Sequence, residues 1–253
     1  MTNRMRLTIV GCTGSVPGPD SPASCYLVEA DGYQVLLDLG NGALGALYAH
    51  TSPYAIDAVL LSHLHADHCF DLASLYVARH YHPEGPFPHM PVYGPPGTDE
   101  RIARAYGMGT TQEIHQAFTF VEWSDGAHYD VGPLHVTVRK VAHPVTCFAI
   151  RVEHGGRSLV YSGDTGPTDA LVALAQGADL LLCEASFVEG ADNPAGLHLT
   201  GKQAGDHAQR AGAARLLLTH IPPWRDRDSA LAEATPAFQG PVQLAQPGAT
   251  YDV

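Results

Sequence analysis

The chain has 253 residues, 45% of them hydrophobic and only 16% charged, with a formal net charge of −12. That composition fits a globular protein with a sizeable core, and the length fits one large α/β domain over residues 1–253. Only two lysines occur, Lys140 and Lys202, so the basic face that an extended nucleic-acid footprint needs is not expected. Five cysteines without C-x-x-C spacing argue against a disulfide framework or a structural zinc knuckle, and Cys69, beside a histidine cluster, is read as a packing residue. No apolar run reaches the ~18–20 residues that span a bilayer, and Met1–Leu7 leads into a strand pattern rather than a signal peptide, so a cytoplasmic protein without membrane contact is expected.

In chain order, Leu7–Gly11, Cys25–Ala30 and Tyr33–Leu39 read as strands, with Asp31–Gly32 a tight hairpin turn. Gly42–Ala49 reads as a short helix and Ala58–Ser62 as a short buried strand. Asp71–Tyr81 reads as helix, Pro91–Tyr93 as strand, and Asp99–Met108 as helix with Thr98 as its N-cap. The Pro/Gly-rich stretch 83–97 reads as a pocket wall or a subunit interface, which leaves a homodimer among the expected assemblies. Leu134–Val141, Cys147–Val152 and Ser158–Tyr161 follow as strands, the last two joined at His154–Gly155–Gly156. Asp169–Ala175 reads as helix and Asp179–Cys183 as a buried strand. Thr200–Ala211 reads as helix with Thr200 and Gln203 in a capping box, and Arg215–Thr219 as a last buried strand. Two successive sets of strands and helices predict an αββα sandwich.

Residues 62–68 read Ser-His-Leu-His-Ala-Asp-His, directly after the apolar run Val59–Leu61. Such a strand delivers a loop to a sheet edge, and imidazole and carboxylate donors at this density suit zinc, manganese or iron. Three further donors each follow a predicted strand: His143, Asp164 and His220. Adjacent Asp67 and His68 fit poorly on one tetrahedral ion with His63 and His65. The natural division is two ions, one on His63, His65 and His143, the other on Asp67, His68 and His220, with Asp164 and a hydroxide between them. Two divalent cations would make the acidic chain locally positive and compatible with a small anionic substrate.

This pattern resembles the metallo-β-lactamase superfamily over roughly residues 6–225, its H-x-H-x-D-H signature standing here as His63–His68. The second signature position is His65, where redox relatives carry Glu, so the resemblance implies hydrolysis. Leu181–Phe187 with Glu184, and Leu197–Thr200 with His198, resemble the ribonuclease Z-like branch, in which such a Glu orients such a His toward the scissile phosphate. Cys183 and Ser186 depart from that branch's usual His and Thr. The Gly11–Gly14 turn also resembles the branch but is read first as a turn that needs glycine. The branch's tRNA-processing members carry a long arm between the third histidine and the bridging Asp. Residues 144–163 have room for one hairpin, which disfavours structured tRNA as substrate.

Gly18-Pro-Asp-Ser-Pro-Ala-Ser24, Leu60–His68, Tyr161–Gly166 and Leu218–Trp224 are most similar to actinobacterial atypical class II cyclic-nucleotide phosphodiesterases. The resemblance implies hydrolysis of 3′,5′-cyclic nucleotides such as cAMP, with two divalent ions (zinc first) and Asp67, His198 and Glu184 as catalytic residues. Competing expectations are a ribonuclease acting on short or unstructured RNA, a lactone, thioester or β-lactam hydrolase, and a metal-binding module without turnover.

Overall fold

The computed structural model describes residues 4–85 and 87–253. The first sheet holds β1 (Met5–Gly11), β2 (Cys25–Ala30), β3 (Tyr33–Leu37), β4 (Ala58–Leu60), β5 (Met90–Gly94) and β6 (Phe118–Glu122). The second holds β7 (His128–Val131), β8 (Leu134–Lys140), β9 (Phe148–His154), β10 (Arg157–Tyr161), β11 (Leu180–Glu184), β12 (Leu216–Thr219) and β13 (Val242–Leu244). β14 (Thr250–Asp252) returns to the first sheet, pairing antiparallel with β1, and so completes a sheet ordered β14-β1-β2-β3-β4-β5-β6. The second sheet runs β13-β12-β11-β10-β9-β8-β7.

Each sheet has an antiparallel half and a parallel half. β1, β2 and β3 are a meander, and β3 through β6 are parallel. Likewise β7 to β10 are antiparallel, and β10 through β13 are parallel. The β2–β3 turn places both Asp31 and Gly32 at positive φ, as a two-residue hairpin requires. Parallel strands need helices on the outer face, and β11 is accordingly buried at every position. Helices α1 (Ala43–Leu47), α2 (Ala66–Cys69), α3 (Asp71–His80) and α4 (Thr98–Tyr106) belong to the first half, α5 (Asp169–Leu174), α6 (Gly201–Ala211) and α7 (Arg227–Ala234) to the second.

Three apolar layers follow from this arrangement. Leu7, Tyr26, Val35 and Leu60 meet Val136, Ile150, Leu159 and Leu182 between the sheets. Leu36, Val59 and Val92 face α1, α3 and α4 on one outside, and Leu181, Cys183 and Leu218 face α5, α6 and α7 on the other. This is the αββα sandwich expected from the sequence.

The Thr200–Gln203 capping box forms with both of its hydrogen bonds. Thr98 is not an N-cap. Gly97 takes the capping position in the left-handed region, α4 starts at Thr98, and the Thr98 hydroxyl donates to the Pro95 carbonyl. The stretch 83–97 is not all loop, because β5 runs through it. All five cysteines are free and buried. Cys69 donates to the His65 carbonyl, and burial pushes its thiol up to about 12, so it packs rather than reacts. Among the described residues, no helix is long and apolar enough to cross a membrane.

Candidate metal centre

The C-terminal ends of the strands converge at one edge of both sheets, where ligands collect in layered α/β folds. β4 leads into His63, His65 and the one-turn helix α2, which carries Asp67 and His68. β8 is followed by His143, β10 by Asp164, β11 ends on Glu184, and β12 is followed by His220. His220 and Asp38, which follows β3, both adopt positive φ, turning the chain sharply where each strand stops. Strain of this kind is typical of sites whose surroundings over-determine the backbone.

The seven sequence-derived donors come together as two groups. His63, His65, His143 and Asp164 form one, and Asp67, His68, His220 and Asp164 the other. In the first, His65 Nδ1 lies 3.1 Å from His63 Nε2 and 3.2 Å from His143 Nε2, and Asp164 Oδ2 lies 3.6 Å from His63 Nε2. In the second, His68 Nε2 and His220 Nε2 are 3.1 Å apart, with Asp67 Oδ2 at 3.3 and 3.1 Å and Asp164 Oδ1 at 3.3 and 3.4 Å from them. A tetrahedral ion with bonds of ~2.0–2.1 Å separates its donors by about 3.3–3.4 Å, so both groups have the spacing of a coordination shell. Asp164 Oδ1 is buried without a hydrogen-bond partner, an uncompensated carboxylate oxygen that a cation would satisfy. The residues present therefore fit divalent metal.

Neighbouring groups fix which nitrogen faces the centre in His63, His68, His143 and His220. Asp38, fully buried, takes hydrogen bonds from the Ser62 backbone (2.7 Å), the Ser62 hydroxyl (2.7 Å) and the Tyr161 hydroxyl (2.8 Å), and its Oδ2 lies 2.7 Å from His68 Nδ1. Asp38 thus holds the Nδ1 proton of His68 and leaves Nε2 as the nitrogen that faces the donor group. With the Ser62 hydrogen committed to Asp38, His63 Nδ1 at 3.0 Å must donate to Ser62 Oγ, which frees His63 Nε2. His143 Nδ1 donates to the Leu197 carbonyl at 2.9 Å. The Ser186 hydroxyl donates to the His220 carbonyl and accepts from His220 Nδ1 at 2.8 Å. Asp38, Ser62, Tyr161 and Ser186 were not singled out by sequence as orienting groups. Asp38 stands in Leu-Leu-Asp-Leu-Gly at the end of an apolar strand, the same signal that marks Asp164 and His220.

Two close approaches explain glycines around the site. A Cβ on Gly14 would stand 2.4 Å from the His220 carbonyl oxygen, and one on Gly40 would stand 2.0 Å from that of Asp67. The Gly11–Gly14 turn therefore lies directly against a ligand, and its Ser15 amide donates to Asp67 Oδ2 at 2.9 Å. Glycine is needed there for contact rather than for φ.

Burial pushes His63, His65 and His143 below the ordinary histidine range, toward the neutral, metal-binding form. Burial also pulls on His68, but Asp164 and Asp38 outweigh it and hold that ring well up. The Asp67 carboxyl, which burial would raise, is held well down by His220 and His68.

Glu184 and His198 stand beside the two groups. His198 Nδ1 is 3.0 Å from Glu184 Oε1 and 3.9 Å from Asp164 Oδ2. Glu184 is fully buried and also accepts from the Thr165 amide at 2.6 Å. Burial lowers His198, but the contact with Glu184 raises it more, with Asp164 adding, and the ring is pushed up to about 9. Glu184, His198 and His220 are close enough to resemble a third metal group. His220 already serves the second group, and Glu184 is occupied by the Thr165 and Ser186 amides and by His198, so the pair stands as a hydrogen-bonded dyad beside the two groups.

A layered αββα fold with paired His/Asp groups at the strand ends is the architecture of a metallo-hydrolase. The chain belongs to the beta-lactamase superfamily domain family, whose model matches residues 33–221. It is 47% identical to an uncharacterized protein of Mycobacterium leprae, over 98% of this chain and 89% of that one. It is 32% identical to the probable metallo-hydrolase YhfI of Bacillus subtilis, over 98% of this chain and all of that one. The YhfI crystal structure superposes with a TM-score of 0.89, covering 99% of this chain and 100% of that chain. A ribonuclease Z of Mycolicibacterium gilvum is 32% identical over 87% of this chain and 85% of its own length.

Proposed function

We propose that this metallo-hydrolase is a phosphodiesterase holding two divalent ions, zinc first among them, and opening 3′,5′-cyclic nucleotides such as cAMP to 5′-nucleotides. The observation that carries this reading is the Glu184–His198 dyad beside the paired donor groups. Lactone, thioester and β-lactam hydrolysis do not call for such a dyad. Bound divalent ions supply Lewis acidity toward a phosphoryl oxygen and can lower the pKa of water from 15.7 to about 7.

The chain's own residues do the rest. Asp67, fixed by the Ser15 amide, orients the attacking water, whose oxygen bonds to phosphorus as the bond to the 3′ oxygen breaks. Protonated His198, held through Nδ1 by Glu184, has its Nε2 proton to give to that leaving oxygen, and regains a proton from the attacking water. Asp164 and the histidines set by Asp38, Ser62, Ser186 and the Leu197 carbonyl keep the site ordered before substrate arrives.

The 32%-identical ribonuclease Z favours a second reading, hydrolysis of RNA. Against it, residues between His143 and Asp164 are taken up by the β9–β10 hairpin and short connections. The acidic balance and the two lysines point the same way, toward a small anionic substrate.

The test is release of 5′-AMP from cAMP by purified protein with zinc or manganese, set beside cleavage of a pre-tRNA. Metal-dependent 5′-AMP release, lost in Asp67→Ala, is the expected result. Cleavage of pre-tRNA alone would replace the cyclic-nucleotide reading with the RNA one. Within the same assay, His198→Ala should reduce kcat by about 10²–10⁴-fold, the range for a positioned acid, at unchanged metal content. Wild-type kcat in that variant would remove His198 from the chemistry.

A further inference from the structure

Exposed large apolar side chains fall in two places: Tyr48, Val77, Tyr81 and Tyr106 lie in or at the ends of α1, α3 and α4, and the others lie near the metal centre in the chain. Val16, Val145, Val188 and Trp224 are all exposed, and each lies within four residues of a group at the metal centre. Val16 follows Ser15, whose amide holds Asp67. Val145 follows His143 by two residues. Val188 follows Phe187, whose ring meets His198 edge-on at 5.0 Å between centroids. Trp224 comes four residues after His220 and is 70% exposed, the most open of the large apolar side chains among the described residues.

The backbone that carries Trp224 is fixed despite this exposure. The Arg225 amide donates to the Pro222 carbonyl at 3.0 Å, closing a β-turn with Pro223 and Trp224 at its tip. Before the turn, the chain is fixed at buried His220, Ile221 and Pro222. After it, the buried Arg225 guanidinium donates to the Ala185 carbonyl and, at 2.9 Å, to Glu233. A fixed turn leaves only the two side-chain torsions of the indole to be ordered when a planar partner stacks on it, and its exposed face gains from being covered. The turn leaves directly from a residue of the donor groups, so a planar group covalently attached to a phosphodiester at the centre is the natural occupant.

We infer that Trp224 is the stacking platform for the nucleobase of the substrate, a specificity residue that rests on the cyclic-nucleotide reading. Base–aromatic stacking carries enough free energy that its loss weakens binding by roughly 5- to 150-fold. The platform contacts the base and leaves the phosphate to the metal centre.

The chain offers a direct readout, because it has two tryptophans and the other, Trp123, is buried with its indole N–H donating to the Leu61 carbonyl. Metal-loaded protein is titrated with 5′-AMP and with cAMP while indole fluorescence is recorded. In parallel, KM for cAMP is compared among wild type, Trp224→Ala and Trp224→Phe. The expected results are saturable quenching in wild type that vanishes in both variants, a KM raised about tenfold in the alanine variant, and recovery of most of that loss with phenylalanine. That rescue separates stacking from a mere disturbance of the turn. Turnover of cAMP with no quenching and no KM change in Trp224→Ala would overturn the platform and leave the phosphodiesterase reading standing. Quenching by both nucleotides with no cAMP turnover would keep the platform and overturn that reading. A Trp224→Ala change seen only in oligomeric mass would make the residue a subunit contact and overturn the platform.

Discussion

Asp164→Asn is expected to lower bound metal by at least half and to reduce phosphodiester turnover at least ~10²-fold, the scale of losing a central electrostatic group. The reason is the division of its two oxygens. Oδ1 faces His68 and His220, and Oδ2 faces His63, so one carboxylate belongs to both donor groups. An amide keeps one weak oxygen donor and turns an N–H₂, which has no lone pair to offer a cation, toward the other group. Metal analysis by mass spectrometry gives the first readout and thermal unfolding the second. A ligand present at 100 times its Kd stabilises the folded state by about 2.7 kcal/mol. For a chain of this length that is a rise of roughly 5–10 °C per site. Wild type should show this rise on adding zinc or manganese, and Asp164→Asn should lose most of it. Equal metal content and an equal rise in the variant would take Asp164 out of both groups.

The second large effect is expected at Asp38, a residue that touches none of the seven donors' metal-facing atoms. Asp38→Ala strands four buried donors: the Ser62 amide and hydroxyl, the Tyr161 hydroxyl and His68 Nδ1. Removing one partner of a buried, hydrogen-bonded charge costs about 3–5 kcal/mol, roughly 6–20 °C in Tm for this chain. Alanine also tolerates the positive φ at this position less well than aspartate. Metal affinity should fall a further 10- to 100-fold, because His68 and His63 lose the contacts that select their tautomers. Asp38→Asn separates the two effects. It accepts the backbone conformation and keeps Oδ1 for the Ser62 amide, so unfolding in chelator should change less than in the alanine variant. Its amide nitrogen would still oppose the donors at His68, Tyr161 and the Ser62 hydroxyl, so metal titration should remain weakened. An alanine variant as stable as wild type would show that the Asp38 network does not hold these strands together.

Much of this protein is legible in its sequence for a physical reason. Fully buried parallel strands must be short and apolar, and a polar donor right after such a strand can only lie at the sheet edge. His63–His68, His143, Asp164 and His220 all carry that mark, and Thr200 with Gln203 announces its helix by local hydrogen bonding alone. Local signals fail where the partner is distant. β6 and β7 are short and half exposed, with little alternation to read. The predicted elements end at Thr219, yet α7 follows, capped by Asp226, and β13 and β14 close opposite sheets. β14 becomes a strand because β1 has a free edge, which lies some 240 positions earlier in the chain.

The site divides in the same way. Which residues could hold metal follows from their type and spacing in the chain. Their sorting into two groups sharing Asp164, the orientation of His63, His68, His143 and His220 by Ser62, Asp38, a backbone carbonyl and Ser186, and the placing of His198 against Glu184 were decided only by the tertiary structure. Hydrogen bonds between strands from different parts of the chain have no period in sequence, and a lone serine or aspartate acquires its role from what folding puts beside it.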